Sequence, residues 1–278
     1  MSPDIRWLCE TTAEGHTLFR IGRDGSEWVA EFAGVGTLYA SPGGTTFRFE
    51  ATGDAKPDQV AKVRHGLSLG LLRHLQGKLT LHASSAARHG RAIVCAGNSG
   101  SGKSTTIAEL CARPGWSLLS DDVALIDSIE TLPEITPAER LHWLLQDSRA
   151  QLGISTEGAP VWSVADTRSK RPIAPARVAD RPARCSAICS LVFDDDASGP
   201  SLRRLHGSDA ASRLLVSCIR FALDDAAAHQ RELDQVIAVL VRVPVYELRR
   251  PHRLEQLRAA GDLLEILAGE ASPFAEGP

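Results

Sequence analysis

Over the first fifty residues, apolar and polar positions alternate in short runs: Thr17-Leu-Phe-Arg-Ile, Glu27-Trp-Val-Ala-Glu-Phe and Thr45-Thr-Phe-Arg-Phe-Glu. A period of two predicts half-buried strands, and Gly22-Arg-Asp-Gly, Gly34-Val-Gly and Ser41-Pro-Gly-Gly supply the turns between them. The period then becomes helical. Val60, Val63, Leu67, Leu71, Leu72 and Leu75 recur at three- and four-residue spacing up to Gly77, with Asp58 placed to cap the start beside Pro57. The cations on this helix, Lys62, Arg64, His65, Arg73 and His74, read as a solvated face and receive no function.

Beyond Leu79 strands and helices alternate. Strands are predicted at Leu79-Thr-Leu-His-Ala-Ser-Ser-Ala, after the turn His89-Gly90 at Arg91-Ala-Ile-Val-Cys-Ala, and at Trp116-Ser-Leu-Leu-Ser and Val123-Ala-Leu-Ile-Asp, the last two separated by Asp121-Asp122. A helix spans about Lys103 to Ala112 and stops before Pro114-Gly115. Residues 130–184 mix Pro, Arg and Ser without a clear period. Ser186 to Phe193 reads as a buried strand; Ser208 or Asp209 caps a helix carrying Leu214, Leu215, Cys218, Ile219 and Phe221. Gln230–Leu240 forms a further helix, Val243–Leu248 an edge strand and Leu254–Leu267 a closing amphipathic helix, with a loose tail from Ala271 to Pro278. This alternation predicts an α/β unit over residues 77–278, preceded by a small β-rich unit over 1–76 that ends in a helix.

Composition narrows the function classes. The 278 residues are 43% hydrophobic, which excludes intrinsic disorder. A net charge of −3 argues against general adhesion to nucleic acid or anionic membrane. Arg242 interrupts the longest apolar stretch, Val236 to Val245, and no charged region followed by an apolar one opens the chain, so a cytoplasmic protein is expected. Cys185 and Cys189 come nearest to metal-ligand spacing, but they lie two positions either side of Ala187 in an apolar strand without a second ligand pair. All six cysteines read as small reduced core residues.

The strongest chemical signal is Gly97-Asn-Ser-Gly-Ser-Gly-Lys103-Ser104, which fits G-x-x-x-x-G-K-[ST] between a strand and a helix. Small residues let successive amides turn inward around a polyphosphate, and the helix N-terminus adds partial positive charge. Gly97, Asn98, Ser99, Gly100, Ser101, Gly102, Lys103, Ser104 and Thr105 are therefore the expected ATP contacts, with Lys103 on the β- and γ-phosphates and the Ser104 hydroxyl on Mg²⁺. Asp121 and Asp122 follow Lys103 by only eighteen and nineteen positions, which places them at an adjacent strand end. Such a pair can divide the work: one carboxylate holds Mg²⁺ and the other accepts a proton from an attacking hydroxyl. Alone, the same two residues are an ordinary strand-capping turn.

Leu81-His82 before the loop, Gly97–Ser104 and Ser120-Asp121-Asp122-Val123 after the helix together resemble the HPr kinase/phosphorylase family, and more closely its shorter bacterial serine-kinase relatives. The resemblance is firm over Leu79 to Asp127 and loose over Ser186–Phe193, Ser208–Phe221 and Val243–Leu248. It implies the fold of the HPr kinase/PEP carboxykinase-like P-loop kinases. It also implies that Asp121 is the proton acceptor, that Asp122 assists with the metal, and that His82 supports the base, whereas His82 alone reads as a strand histidine. The family's later Arg-Pro-Gly-Arg segment, used in phosphorolysis, has no match; Val241-Arg-Val-Pro-Val-Tyr-Glu-Leu stands in its place without the glycine. Neither the reverse reaction nor HPr as substrate is carried over.

The expected function is ATP- and Mg²⁺-dependent transfer of the γ-phosphoryl group to a serine of a protein or peptide. Two alternatives stand beside it: a kinase of a small hydroxylated metabolite such as free serine, and a non-catalytic nucleotide-binding switch. A sheet with an open edge in the first unit favours a peptide, a closed pocket a metabolite. Lys170-Arg171 reads either as charge for the transferring group or as an exposed basic turn. Relatives of this type form homo-oligomers, although no residue pattern here marks an interface.

Overall fold

The alternating runs at the start of the chain pair into a five-stranded antiparallel meander in a computed structural model, which describes residues 5–13, 15–154, 170–221 and 226–269. Its strands are β1 (Arg6–Ala13), β2 (His16–Asp24), β3 (Glu27–Phe32), β4 (Gly36–Ala40) and β5 (Phe47–Ala51). β1 and β4 were not expected; in β4 the alternation is real, with Gly36, Leu38 and Ala40 buried and Thr37 and Tyr39 half-buried, but the glycines before it read as a turn. One face of the sheet, with Ile21, Ala30, Phe32 and Leu38, packs on Val63, Leu71 and Leu72 of the helix that follows.

That helix comprises α1 (Pro57–Val63), a π turn at Arg64–Ser68 and α2 (Leu69–Leu75). Lys56 rather than Asp58 occupies its cap position, and Pro57 takes the first turn, where its missing N–H costs nothing. The side-chain amide oxygen of Gln59 accepts from the Lys56 N–H at 3.1 Å.

A nine-stranded mixed sheet forms the larger part. Along the chain come β6 (Thr80–Leu81), β7 (Ala83–Arg88), β8 (Arg91–Ala96), α3 (Lys103–Cys111), β9 (Ser117–Ser120), β10 (Ala124–Asp127) and β11 (Glu134–Thr136). A separate pair, β12 (His142–Leu144) and β13 (Arg171–Ile173), flanks α4 (Gln146–Gln151). Then follow β14 (Ala183–Phe193), β15 (Ser201–Leu205), α5 (Gly207–Ser217), α6 (Ala226–Arg242), β16 (Val245–Arg250) and α7 (Leu257–Gly269). The order is β6-β10-β11-β14-β8-β7-β9, with β16 on β14 and β15 on β16. β8, β14 and β16 run parallel at the centre, and the apolar runs of β8 and β14 are buried on both faces, as parallel strands require. Val94, Ile188 and Leu81 face Leu214, Val236 and Val239 of α5 and α6. Ile93, Cys95 and Cys189 face Ile107 and Leu110 of α3 and Leu264 of α7. The fold is therefore mixed α/β, with helices on both faces of the large sheet.

Three expectations change. Val245–Arg250 is not an edge: it pairs with β14 on one side and β15 on the other, and Pro244 stands just before it, where no ladder donor is lost. α5 is capped by His206 and ends at Ser217; beyond it the Ile219 N–H donates to Thr80 O at 2.9 Å, and Ile219 and Phe221 pack into the core of the first sheet. A register shift between Cys185 and Ala187 turns the strand, so Cys185 and Cys189 point into different cores. All six cysteines are free thiols, and five are buried. Among the described residues no helix is long and apolar enough to cross a membrane. Arg168 and the tail from Ala271 to Pro278 lie outside the described residues.

Candidate active site

Strand β8 ends at Ala96 and the chain turns sharply through Gly97, Gly100 and Gly102, all with positive φ. Gly102 is favoured at its position for two reasons. Its φ is +87°, and a Cβ there would lie 2.5 Å from Nη2 of the buried Arg250, which passes beneath the loop. α3 begins at the next residue, so its first amides open toward the loop. Lys103 folds back across the turn: its Nζ donates to Gly97 O and Asn98 O, each at 2.9 Å. Burial lowers the Lys103 pKa, with Asp122 opposing that shift.

The loop forms one wall of a cavity of about 200 Å³, contributed by Ser99, Gly100, Gly102, Lys103, Ser104 and Thr105. His82, Asp122, Trp143, Leu145 and Lys170 line the rest. Thr105 also has a structural bond, with its hydroxyl 2.9 Å from that of Ser148. Gly97, Asn98 and Ser101 face a second cavity of about 450 Å³, bounded by the end of β14 and by α5, and Ser99 and Gly100 belong to both walls.

The two aspartates have different surroundings. Asp121 is fully buried; its Oδ1 accepts from the Ser84 hydroxyl at 2.5 Å and its Oδ2 from the Trp143 N–H at 2.9 Å. It lines neither cavity. Asp122, at φ +74°, turns its carboxylate to the 200 Å³ cavity and retains 26% side-chain exposure. Burial disfavours its ionised form, yet Lys62 beside it outweighs burial and holds the carboxyl well below the usual range. The Lys62 ammonium bonds Oδ2 of Asp122 and lies 3.6 Å from Oε2 of the buried Glu139. Burial pushes the Glu139 carboxyl up to about 7, with Lys62 opposing.

His82 occupies the break between β6 and β7, where its N–H donates to Ser217 O at 2.7 Å. Its Nδ1 is 3.1 Å from the Asp122 carbonyl. A carbonyl oxygen only accepts, so Nδ1 carries the ring proton and Nε2 is the acceptor. Burial, reinforced by Lys103, lowers the His82 pKa, which keeps the ring neutral at pH 7.

Among the described residues no group of three or more His, Cys, Asp and Glu side chains forms a metal cage. Mg²⁺ needs none: it is held by one or two carboxylates, retains waters and shares the phosphates of its substrate. The hard oxygens of Ser104 and Asp122 fit that description, and the Lys62 ammonium already shows Asp122 engaging a cation. Lys62, Glu139, Ser84 and Trp143 were not expected at the site. Ser84 lay within a strand expected from the sequence, whereas Lys62 read as a solvated helix residue and Glu139 and Trp143 fell in the stretch without a clear period.

No protein-family model matches the sequence, and no curated protein matches it. Among solved structures the chain is similar to the Hpr(Ser) kinase/phosphatase from Coxiella burnetii, at 14% identity and a TM-score of 0.33, over 67% of this chain and 92% of that one.

Proposed function

We propose that this chain is an ATP- and Mg²⁺-dependent kinase of the HPr-kinase-like P-loop type, transferring the γ-phosphoryl group to a serine hydroxyl of a protein or peptide. Residues from about 77 onward would form the catalytic unit and the first 76 a recognition unit. The observation that carries this reading is the convergence of Lys103 and the loop amides with Asp122, His82 and Lys170 around one 200 Å³ cavity. A switch protein needs the loop but not the opposite wall.

Lys103 would exchange its two loop carbonyls for phosphate oxygens, while α3 and the loop amides bind the remainder of the polyphosphate. Ser104 and Asp122 would hold Mg²⁺, whose chemistry is to neutralise and orient the β- and γ-phosphates. The acceptor oxygen forms its bond to γ-phosphorus as the bond to the bridging oxygen breaks, and the hydroxyl proton passes to Nε2 of His82. Asp121, expected to take that proton, is better suited to fixing the turn, because it is fully buried, lines neither cavity and holds the Ser84 hydroxyl and the Trp143 N–H. Lys170 adds positive charge beside the transferring group. A peptide or protein acceptor is favoured over a metabolite by the first sheet, whose end strands β1 and β5 each pair on one side only.

The test is incubation of purified protein with Mg²⁺ and heavy-oxygen-labelled ATP in a cell extract, followed by mass spectrometry. Labelled phosphoserine in a polypeptide supports the proposal; label confined to small molecules supports a metabolite kinase; nucleotide binding without transfer supports a switch.

A further inference from the structure

One buried cation has no part in the chemistry above. Lys62 projects from α1, against the first sheet, and is 8% exposed. Its ammonium lies on Oδ2 of Asp122, 3.6 Å from Glu139 Oε2 and 5.0 Å from the centre of the Trp143 ring. Burying an ammonium is unfavourable unless it is paired and hydrogen-bonded, so its position is dictated by these carboxylates rather than by the helix.

The geometry of Asp122 explains what the pairing accomplishes. Its backbone is left-handed at φ +74°, and its carbonyl is fixed by His82. The remaining freedom is rotation of the carboxylate, and the bond from Lys62 removes it. One oxygen is occupied from behind, while the side chain keeps its exposure toward the cavity. Donors behind a metal-binding carboxylate orient it, and losing one costs ~10–100-fold in metal affinity or activity.

Building on the Mg²⁺–nucleotide reading, we propose that Lys62 is a positioning residue: it orients Asp122 toward the metal, so the helix packed on the first sheet completes the phosphoryl-transfer site. The first 76 residues would then be part of the reaction machinery as well as a surface for the substrate.

The test uses the full chain and binding of a fluorescent ATP analogue titrated with Mg²⁺. Lys62→Met should raise the Mg²⁺ concentration at half-saturation by ~10–100-fold, with analogue affinity in chelator unchanged within about twofold. Lys62→Arg, which keeps the charge but presents a wider planar head, should fall between wild type and Lys62→Met. In an Asp122→Asn background Lys62→Met should add little, because its effect acts through that carboxylate. A folded Lys62 variant with wild-type Mg²⁺ dependence overturns the proposal, and so does one needing less Mg²⁺, which would make the lysine a competitor for the metal's place. If Lys62→Met does not fold, Lys62→Arg decides alone: a shift of about threefold or more supports the role, and none overturns it. Failure of the wild type to bind the analogue under any condition would instead overturn the nucleotide reading itself.

Discussion

Arg73 in α2 donates from Nη1 to Oδ1 of Asp127 at 2.8 Å, at the end of β10 opposite the one that Lys62 engages through Asp122. Its Nη2 also donates to Ile126 O at 2.9 Å. Two buried cations on one helical segment thus grip a four-residue strand at both ends, and the strand begins beside the candidate site.

Arg73→Met should lower unfolding free energy by about 2 kcal/mol, less than a fully buried pair would lose, because Asp127 is part-exposed and Lys78 also lies near it. The effect should depend on pH. Burial opposes ionisation of Asp127, but Arg73 and the Thr136 hydroxyl hold its pKa below the ordinary 3.8. A depressed carboxyl contributes stability above that value and loses it as the pH falls through the lower, folded-state value. Denaturant titrations of wild type and variant should therefore converge as the pH is lowered below about 3.8.

Lys103→Met should weaken binding of the ATP analogue by about 100-fold or more while changing stability by less than about 1 kcal/mol. Among the described residues this ammonium bonds two loop carbonyls. Paired binding and melting measurements test both halves; a large loss of stability would count against the role.

Gly102→Ala should cost about 1–2 kcal/mol, chiefly from the left-handed backbone, with the end of the Arg250 side chain displaced by the new methyl group. Calorimetry reads this directly, and the same variant should lose nucleotide binding because the first turn of α3 must shift.

Asp121→Asn and Asp122→Asn should separate. The first removes an acceptor from either Ser84 or the Trp143 N–H and should destabilise the protein by about 1–3 kcal/mol. The second should leave a foldable protein whose nucleotide binding no longer responds to Mg²⁺. Equal behaviour of the two in a Mg²⁺ titration would contradict the assignment.

His82→Gln should lower the phosphoryl-transfer rate by about 10²–10⁴-fold and leave analogue affinity within about threefold. Single-turnover kinetics beside equilibrium binding distinguish this from a collapse of the cavity.

Much of the large sheet was legible because fully buried strands need unbroken apolar runs, and the parallel β8 and β14 and the antiparallel β9 and β10 have them. β11 to β13 were not, since three-residue strands leave no period to read. The loop could be read because its glycines and Lys103 act through contiguous backbone. The different surroundings of Asp121 and Asp122 could not, because they depend on Ser84 and Trp143 arriving from other strands. Lys62 was hidden most completely. On a helix with four other basic side chains it looks like a solvated residue, and only the arrival of Asp122, Glu139 and Trp143 from later in the chain makes it interior.

Ser99 and Gly100 are shared between the 200 Å³ and 450 Å³ cavities. The loop is thus a partition about one peptide layer thick, anchored at one end by a strand and at the other by a helix. A substitution at Ser99 or Gly100 therefore reshapes the walls of both spaces at once.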